Sequence, residues 1–204
     1  MHCAALCTQL THIHLAGQDF EREPPNLRGL PWWNETAPLV YPHLDSAQSA
    51  LLQSELAYQN HIAASAEYQA LPRGPVHADL FRDNAIFEGE KLSGCFDFYF
   101  AGVDTWLFDL CVCLNDWAIT HADGLHEPQR AQALLDAYQA VRPLTAAERQ
   151  LLPAMARAAA LRYWISRLWD FYLPRQASML TPHDPTHMER VLRGRFQQPL
   201  VLAA

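Results

Sequence analysis

His77-Ala78-Asp79-Leu80-Phe81-Arg82-Asp83-Asn84 is the stretch that decides the fold, read together with Phe96-Asp97-Phe98, whose carboxylate lies 13 residues beyond Asn84. Phosphoryl transfer needs one carboxylate to orient an attacking hydroxyl and take its proton. It also needs separate oxygen ligands for the magnesium that neutralises a triphosphate. Asp79 fits the first role, and Asn84 and Asp97 fit the second. Between them, residues 85–87 lead out, Glu88-Gly89-Glu90-Lys91 turns, and residues 92–96 return. That pattern predicts a hairpin with Asn84 and Asp97 at one end.

Any one of these polar residues alone reads as a cap or a solvated loop group. Jointly they match the H-x-D-x-x-x-x-N and D-F signals of kinase catalytic loops. His77 is expected to be structural, because an imidazole in this arrangement hydrogen-bonds nearby backbone and fixes the loop. Chemistry is assigned to Asp79.

Composition sets the outer limits. The chain has 204 residues, half of them hydrophobic, enough to bury a substantial core as a single lobe over 1–204. A net charge of −7 without a Lys/Arg run argues against a nucleic-acid partner. The apolar run from Trp106 to Ile119 is interrupted by Asp109 and Asp116, so no membrane span is expected. No basic segment followed by an apolar core and a cleavage site is seen at the N-terminus, and the cytoplasm is the expected compartment. Five cysteines, with Cys111-x-Cys113 lacking a second pair at zinc spacing, read as reduced, partly buried thiols. His12 and His14 stand two apart, which puts them on different sides of a helix and disfavours a metal pair.

The rest of the chain reads as mostly helical. Leu6, Leu10 and Ile13 predict a helix over about 3–16 that stops at Gly17. Residues 24–42 hold five prolines and the Trp32-Trp33 pair, and are expected to be irregular but packed on the domain, with the tryptophans in core. Asp45 with Gln48 makes a capping-box start for a helix running towards Leu71. A further apolar helix is expected from the 104–110 run to Ile119. Within it, Asp109 falls where burial is expected and either braces the catalytic loop or serves as an ordinary cap. Pro128 opens the next helix. Thr145 with Glu148 caps another that reaches Phe171 and that Pro153 must kink or divide. A short helix from Asp184-Pro185 to about Arg195 closes the list.

The residues resemble a known family, the aminoglycoside phosphotransferase and choline kinase group, and within it the homoserine kinases of the kinase-like type. Leu71-Pro72-Arg73-Gly74-Pro75-Val76 ahead of His77-Ala78-Asp79-Leu80-Phe81 is similar to that family, as are Ser93 to Ala101 and Asp109 to Asn115. The outer segments His14-Leu15-Ala16-Gly17-Gln18-Asp19-Phe20, Asn26-Leu27-Arg28-Gly29 and Ala160 to Leu168 favour the homoserine kinases over their cousins. The resemblance covers about residues 3–196. It implies an α+β fold: the mostly helical C-terminal lobe of a protein-kinase-like enzyme, with a small β-hairpin carrying the catalytic loop. It implies transfer of the γ-phosphoryl of ATP to the side-chain hydroxyl of L-homoserine, with Asp79 as base and Asn84 and Asp97 holding Mg²⁺. Choline, an aminoglycoside or a methylthio sugar stay open as acceptors. By resemblance and charge, Arg162, Arg167 and Asp170 are candidates for the acceptor's ammonium and carboxylate, against the reading of a solvated or paired helix face.

Several departures matter. Ala78 replaces the arginine that pairs with a phosphorylated activation loop in protein kinases, and Phe81 stands where those enzymes keep a lysine. A small-molecule acceptor without such regulation is expected. Arg82 stands where the family usually has proline, a change expected to alter the loop's stiffness. Lys91 is the only lysine and lies in the hairpin turn, so the phosphate-clamping lysine and glycine loop of a kinase β-lobe are missing. The chain is therefore expected to be a C-terminal lobe without its N-terminal β-lobe, weak or inactive alone. It is also expected to associate through the surface that lobe would cover, or to survive as a non-catalytic scaffold.

Overall fold

α5 (Trp106–Trp117) is apolar on nearly every side, and each of its twelve residues is buried. A helix with no solvent face has to lie at the centre. The computed structural model, which describes residues 2–173 and 182–202, places it there, against α7 (Ala146–Tyr172), α1 (His2–Ala16) and α6 (Pro128–Val141). α2 (Leu30–Val40), α3 (Ser46–Ala63), α4 (Ala66–Gln69) and α8 (Thr186–Gln197) all pack on α7. No helix among the described residues is long and apolar enough to cross a membrane.

The fold is mostly helical with small antiparallel sheets, as expected, but there are two sheets and not one. β1 (Arg73–Val76) pairs with β4 (Gly102–Thr105), and β2 (Ala85–Glu88) pairs with β3 (Lys91–Cys95). The 77–84 loop is strung between β1 and β2, and Asp97 lies between β3 and β4. The hairpin thus follows the loop, while β1 and β4 hold its other end. Gly89, at φ +61, supplies the left-handed residue of the hairpin turn.

Local signals set most helix ends. Both capping boxes form, Asp45 with Gln48 and Thr145 with Glu148. α1 ends where Gly17 N–H donates to Ile13 O at 3.1 Å. All five cysteines are free thiols, three of them buried.

The structure corrects three expectations. Residues 30–40 form a helix rather than an irregular segment. Pro31 sits in the first turn, where a helix tolerates proline; Pro38 is interior, and burying one face through Trp33, Thr36, Ala37 and Val40 offsets its cost. Trp33 is core; its indole N–H donates to Arg28 O at 2.5 Å, and Trp32 packs edge-on against Trp169. The helix begun at Asp45 stops at Ala63 and restarts as α4, because Ser65 caps the new turn by accepting from Tyr68 N–H. Pro153 does not divide α7, which is one 27-residue helix. An interior proline costs about 3 kcal/mol. Sixteen buried residues on α7 outweigh that, since a fully buried Leu or Ile alone contributes about 1.5–3 kcal/mol.

Candidate active site

One face of α5 holds the 77–84 loop by its backbone. Asp109, fully buried, accepts from His77 N–H through Oδ2 and from Ala78 N–H through Oδ1, both at 2.8 Å. One turn on, Cys113 Sγ lies 3.6 Å from Leu80 O, and the Trp117 indole N–H donates to the same carbonyl at 3.0 Å. Asp116 accepts from Arg82 N–H at 2.8 Å. These residues fall at i, i+4, i+7 and i+8, a single helical stripe. Asp109 therefore braces the loop, and the cap of α5 is Thr105 instead.

Asp109 has a third donor. His14 Nε2, from α1, lies 3.1 Å from Oδ2, and both side chains are fully buried. Burial works to raise the carboxyl's pKa, but the hydrogen bonds and charge of His14 and the His77 amide hold it below the ordinary value. Behind His14 the network continues through Tyr138 Oη at 3.0 Å from Nδ1, Arg142 at 3.3 Å from that hydroxyl, and Glu148, which takes Arg142 Nη2 on both oxygens at 2.9 Å.

The loop presents Asp79 at its turn. Ala78 takes a left-handed conformation, φ 60, which swings the next residue outward; a small side chain limits the strain. Asp79 keeps 17% of its side chain exposed. Tyr163 Oη lies 2.7 Å from Asp79 Oδ1 and 2.8 Å from Ala78 O, so one hydroxyl orients both. Burial, with the Asp79 charge beside it, pushes the Tyr163 hydroxyl well above its usual pKa and keeps it a donor, although Arg162 pulls the other way.

Asn84 closes the loop. Its Nδ2 donates to Asp79 O at 2.7 Å, which leaves Oδ1 without a partner among the described residues. Asn84 O accepts from Phe96 N–H at 3.1 Å, so Asp97 follows directly on the residue paired with Asn84. His77 fixes the same strand end, with Nε2 3.0 Å from Phe96 O. Asp97 sits at φ 64, ψ 61, exposed, and makes no side-chain hydrogen bond among the described residues. No group of three His, Cys, Asp or Glu suited to a metal occurs among them. An amide oxygen and one carboxylate are a sparse set of the kind that serves Mg²⁺ when phosphates supply further ligands.

The charged candidates on α7 separate. Arg162 is 2% exposed, with Nη1 3.8 Å from Asp79 Oδ1, its guanidinium stacked over the rings of Tyr163 at 3.8 Å and Phe100 at 4.8 Å. Arg167 and Asp170 lie four and seven residues past Tyr163 on its face, half-buried. Burial lowers the Arg167 pKa, while Tyr163, Asp79 and Asp170 work against that lowering. Arg82 stiffens the loop from its far side, with Nη1 2.5 Å from His121 Nε2 and a second hydrogen bond from Nη2 to Asp116 O.

Sequence reasoning passed over two residues at this site. Tyr163 falls within the 160–168 segment that carries the resemblance, where only the charges stood out. His14 was weighed as a metal ligand and excluded, and its partner 95 residues away leaves no local signal.

A homoserine kinase of Polaromonas naphthalenivorans (strain CJ2) is 60% identical over 202 residues, covering 99% of this chain and 64% of its own length. One of Cupriavidus necator (strain H16) is 58% identical over 200 residues, covering 96% and 60%. The chain thus spans about three fifths of these curated relatives. Among solved structures, amicoumacin kinase hAmiN in complex with AMP-PNP, Ca²⁺ and Ami superposes with a TM-score of 0.62 at 15% identity, covering 96% of this chain and 57% of that one. Plasmodium vivax ethanolamine kinase gives 0.61 at 12% identity, covering 95% and 58%. At such identities these two establish the fold alone. The phosphotransferase enzyme family profile matches residues 1–144, the span holding Asp79, Asn84, Asp97 and Asp109, and the chain belongs to that family.

Proposed function

We propose that this chain is the acceptor-side and magnesium-side part of an ATP-dependent kinase that phosphorylates the side-chain hydroxyl of L-homoserine in the cytoplasm. The observation that carries the reading is the fixed presentation of Asp79. The loop amides are held by Asp109, one carboxylate oxygen is taken by Tyr163, Oδ2 has only the long 3.5 Å contact from Asn84 Nδ2 among the described residues, and the side chain keeps 17% of its surface exposed. Asp79 Oδ2 would accept the hydroxyl proton as the acceptor oxygen attacks phosphorus. Asn84 Oδ1 and Asp97, unpartnered and adjacent in backbone, would hold Mg²⁺, which when bound neutralises charge on the transferring phosphoryl group. The choice of homoserine rests on the 58–60% identity to homoserine kinases. Arg167 and Asp170 would line the acceptor's approach.

The only lysine, Lys91, is exposed at the start of β3, just past the hairpin turn, so a phosphate clamp has to come from elsewhere. Losing such a clamp costs about 10²–10³ in rate. A non-catalytic scaffold is the second reading, favoured by Ile86, Phe96, Phe98 and Tyr99, large apolar side chains exposed beside the loop.

The test joins this chain to the segment of the Polaromonas relative that it does not span, and follows MgATP turnover with L-homoserine by phosphorus NMR. O-phospho-L-homoserine and ADP in equal amounts are expected. Turnover of choline, an aminoglycoside or a methylthio sugar in its place would overturn the acceptor, and no turnover of any would favour the scaffold.

A further inference from the structure

We infer that Arg162 is the receptor for a carboxylate on the acceptor, and that it selects hydroxy acids over hydroxy amines of the same length. The inference rests on the kinase reading above and gives that site its substrate chemistry.

Arg162 is a buried cation whose position packing alone does not explain. Its two faces are used, by the Tyr163 ring and by Phe100. A guanidinium bonds through its edge, in the plane of its N–H groups, and here that edge is underemployed. Nε and Nη2 are sealed from solvent and meet no hydrogen-bond acceptor among the described residues. Nη1 approaches Asp79 Oδ1 only to 3.8 Å, too far for a hydrogen bond. Asp79 Oδ1 already accepts from Tyr163, so the pair stays apart. Buried, unpaired N–H groups on a charged side chain are rare in proteins unless another group completes them. Here the group that completes them is an anion arriving with the acceptor beside Nη1, towards which the guanidinium turns its edge on binding.

Position specifies which anion. The catalytic carboxylate and the guanidinium are neighbours, so a ligand must offer a hydroxyl to Asp79 and a negative charge to Arg162 within one short molecule. In homoserine the hydroxyl oxygen and the carboxylate carbon are four bonds apart, a reach of roughly 5 Å at ordinary bond lengths. Arg162 Nη1 stands 3.8 Å from Asp79 Oδ1, so a ligand of that reach is long enough to put its hydroxyl on the Asp79 carboxylate and its own carboxylate beside Arg162. An amino alcohol puts only a cation there, beside a buried guanidinium, and is rejected by like charge.

The experiment uses the extended protein described above, with L-homoserine and 3-amino-1-propanol, which is homoserine without its carboxylate. Wild type is expected to prefer homoserine by at least 100-fold in kcat/KM. Arg162→Gln should shrink that preference at least tenfold, through a higher KM for homoserine and, with the like charge gone, a lower KM for 3-amino-1-propanol. Arg162→Lys should recover part of the preference. Equal kcat losses for both acceptors would show that Arg162 acts on Asp79 instead, and an unchanged preference would show that it reads nothing; either overturns the inference. Should the variants not fold, wild type decides: L-2-aminobutyrate should compete with homoserine and 1-aminopropane should not, and equal competition would refute the role. A protein that never phosphorylates homoserine sinks the acceptor assignment, whereas one that does so with an indifferent Arg162→Gln sinks only this inference.

Discussion

His14 Nε2 lies 3.1 Å from Asp109 Oδ2, two fully buried side chains from helices 95 residues apart, and that contact ties α1 to the loop that presents Asp79. His14→Ala would leave Asp109 with only its two loop amides and take away from the Tyr138 hydroxyl its hydrogen-bond partner on α1. A loss of about 3 kcal/mol in stability is expected, the scale of breaking a buried pair from one side. His14→Gln, which keeps a donor, should lose less. Urea unfolding of the 204-residue chain measures both, and a cost for alanine below about 1 kcal/mol would mean that the loop amides suffice.

Tyr163→Phe removes one hydroxyl and with it the donor to Asp79 Oδ1 and Ala78 O. A hydrogen bond to a charged acceptor is worth about 1.5–3 kcal/mol, so kcat of the extended protein should fall about 10- to 100-fold with KM for ATP unchanged. A phenylalanine variant with wild-type kcat would show that Asp79 needs no such orientation.

A second buried pair is purely architectural. Arg157 on α7 places Nε 3.1 and 3.2 Å from the two oxygens of Glu55 on α3, whose side chain is fully buried, and its guanidinium stacks on Tyr58 and Phe196. Arg157→Ala leaves the buried carboxylate without its cation, with only the Gln59 amide donating to it among the described residues, and should cost about 3 kcal/mol. The double change Glu55→Leu with Arg157→Met should cost less than the single one. If the double variant is the less stable of the two, the penalty lies in packing rather than in the stranded charge.

Acid sensitivity should trace in part to His126. Burial first, then the nearby Arg195, depress its pKa to about 3, although Ala118 O works in the opposite direction. The unfolded chain binds this proton near pH 6.5 and the folded one does not until about pH 3, so its contribution to stability is intact above pH 6.5 and is lost progressively as pH falls towards 3. At about 1.4 kcal/mol per unit, His126→Gln should lose about 2 kcal/mol less than wild type between pH 7 and pH 5. Parallel stability curves for the two proteins over that range would contradict this.

What could be read along the chain was local. The spacing of His77, Asp79, Asn84 and Asp97, the two capping boxes and the stop at Gly17 are determined by neighbours within a few residues, and all of those elements form. α2 was misread because its prolines were weighed as breakers without regard to position, while the burial period of Trp33, Thr36, Ala37 and Val40 was present throughout. The β1 and β4 pairing was missed because four-residue strands joined across about 26 residues of chain carry no periodicity of their own. Of the site, the loop was legible and its supports were not. Tyr163 and His14 owe their roles to tertiary contacts with Ala78, Asp79 and Asp109, and nothing adjacent to them in sequence says so.

The most direct test is kcat for L-homoserine phosphorylation by the extended protein carrying Asp79→Asn, with MgATP affinity measured alongside. Asparagine keeps the shape and one acceptor oxygen for Tyr163 but cannot take a proton, so kcat should fall by about 10²–10⁴ while ATP binding is retained. A variant that phosphorylates homoserine within about threefold of the wild-type rate would show that Asp79 is not the base and that the loop serves another purpose.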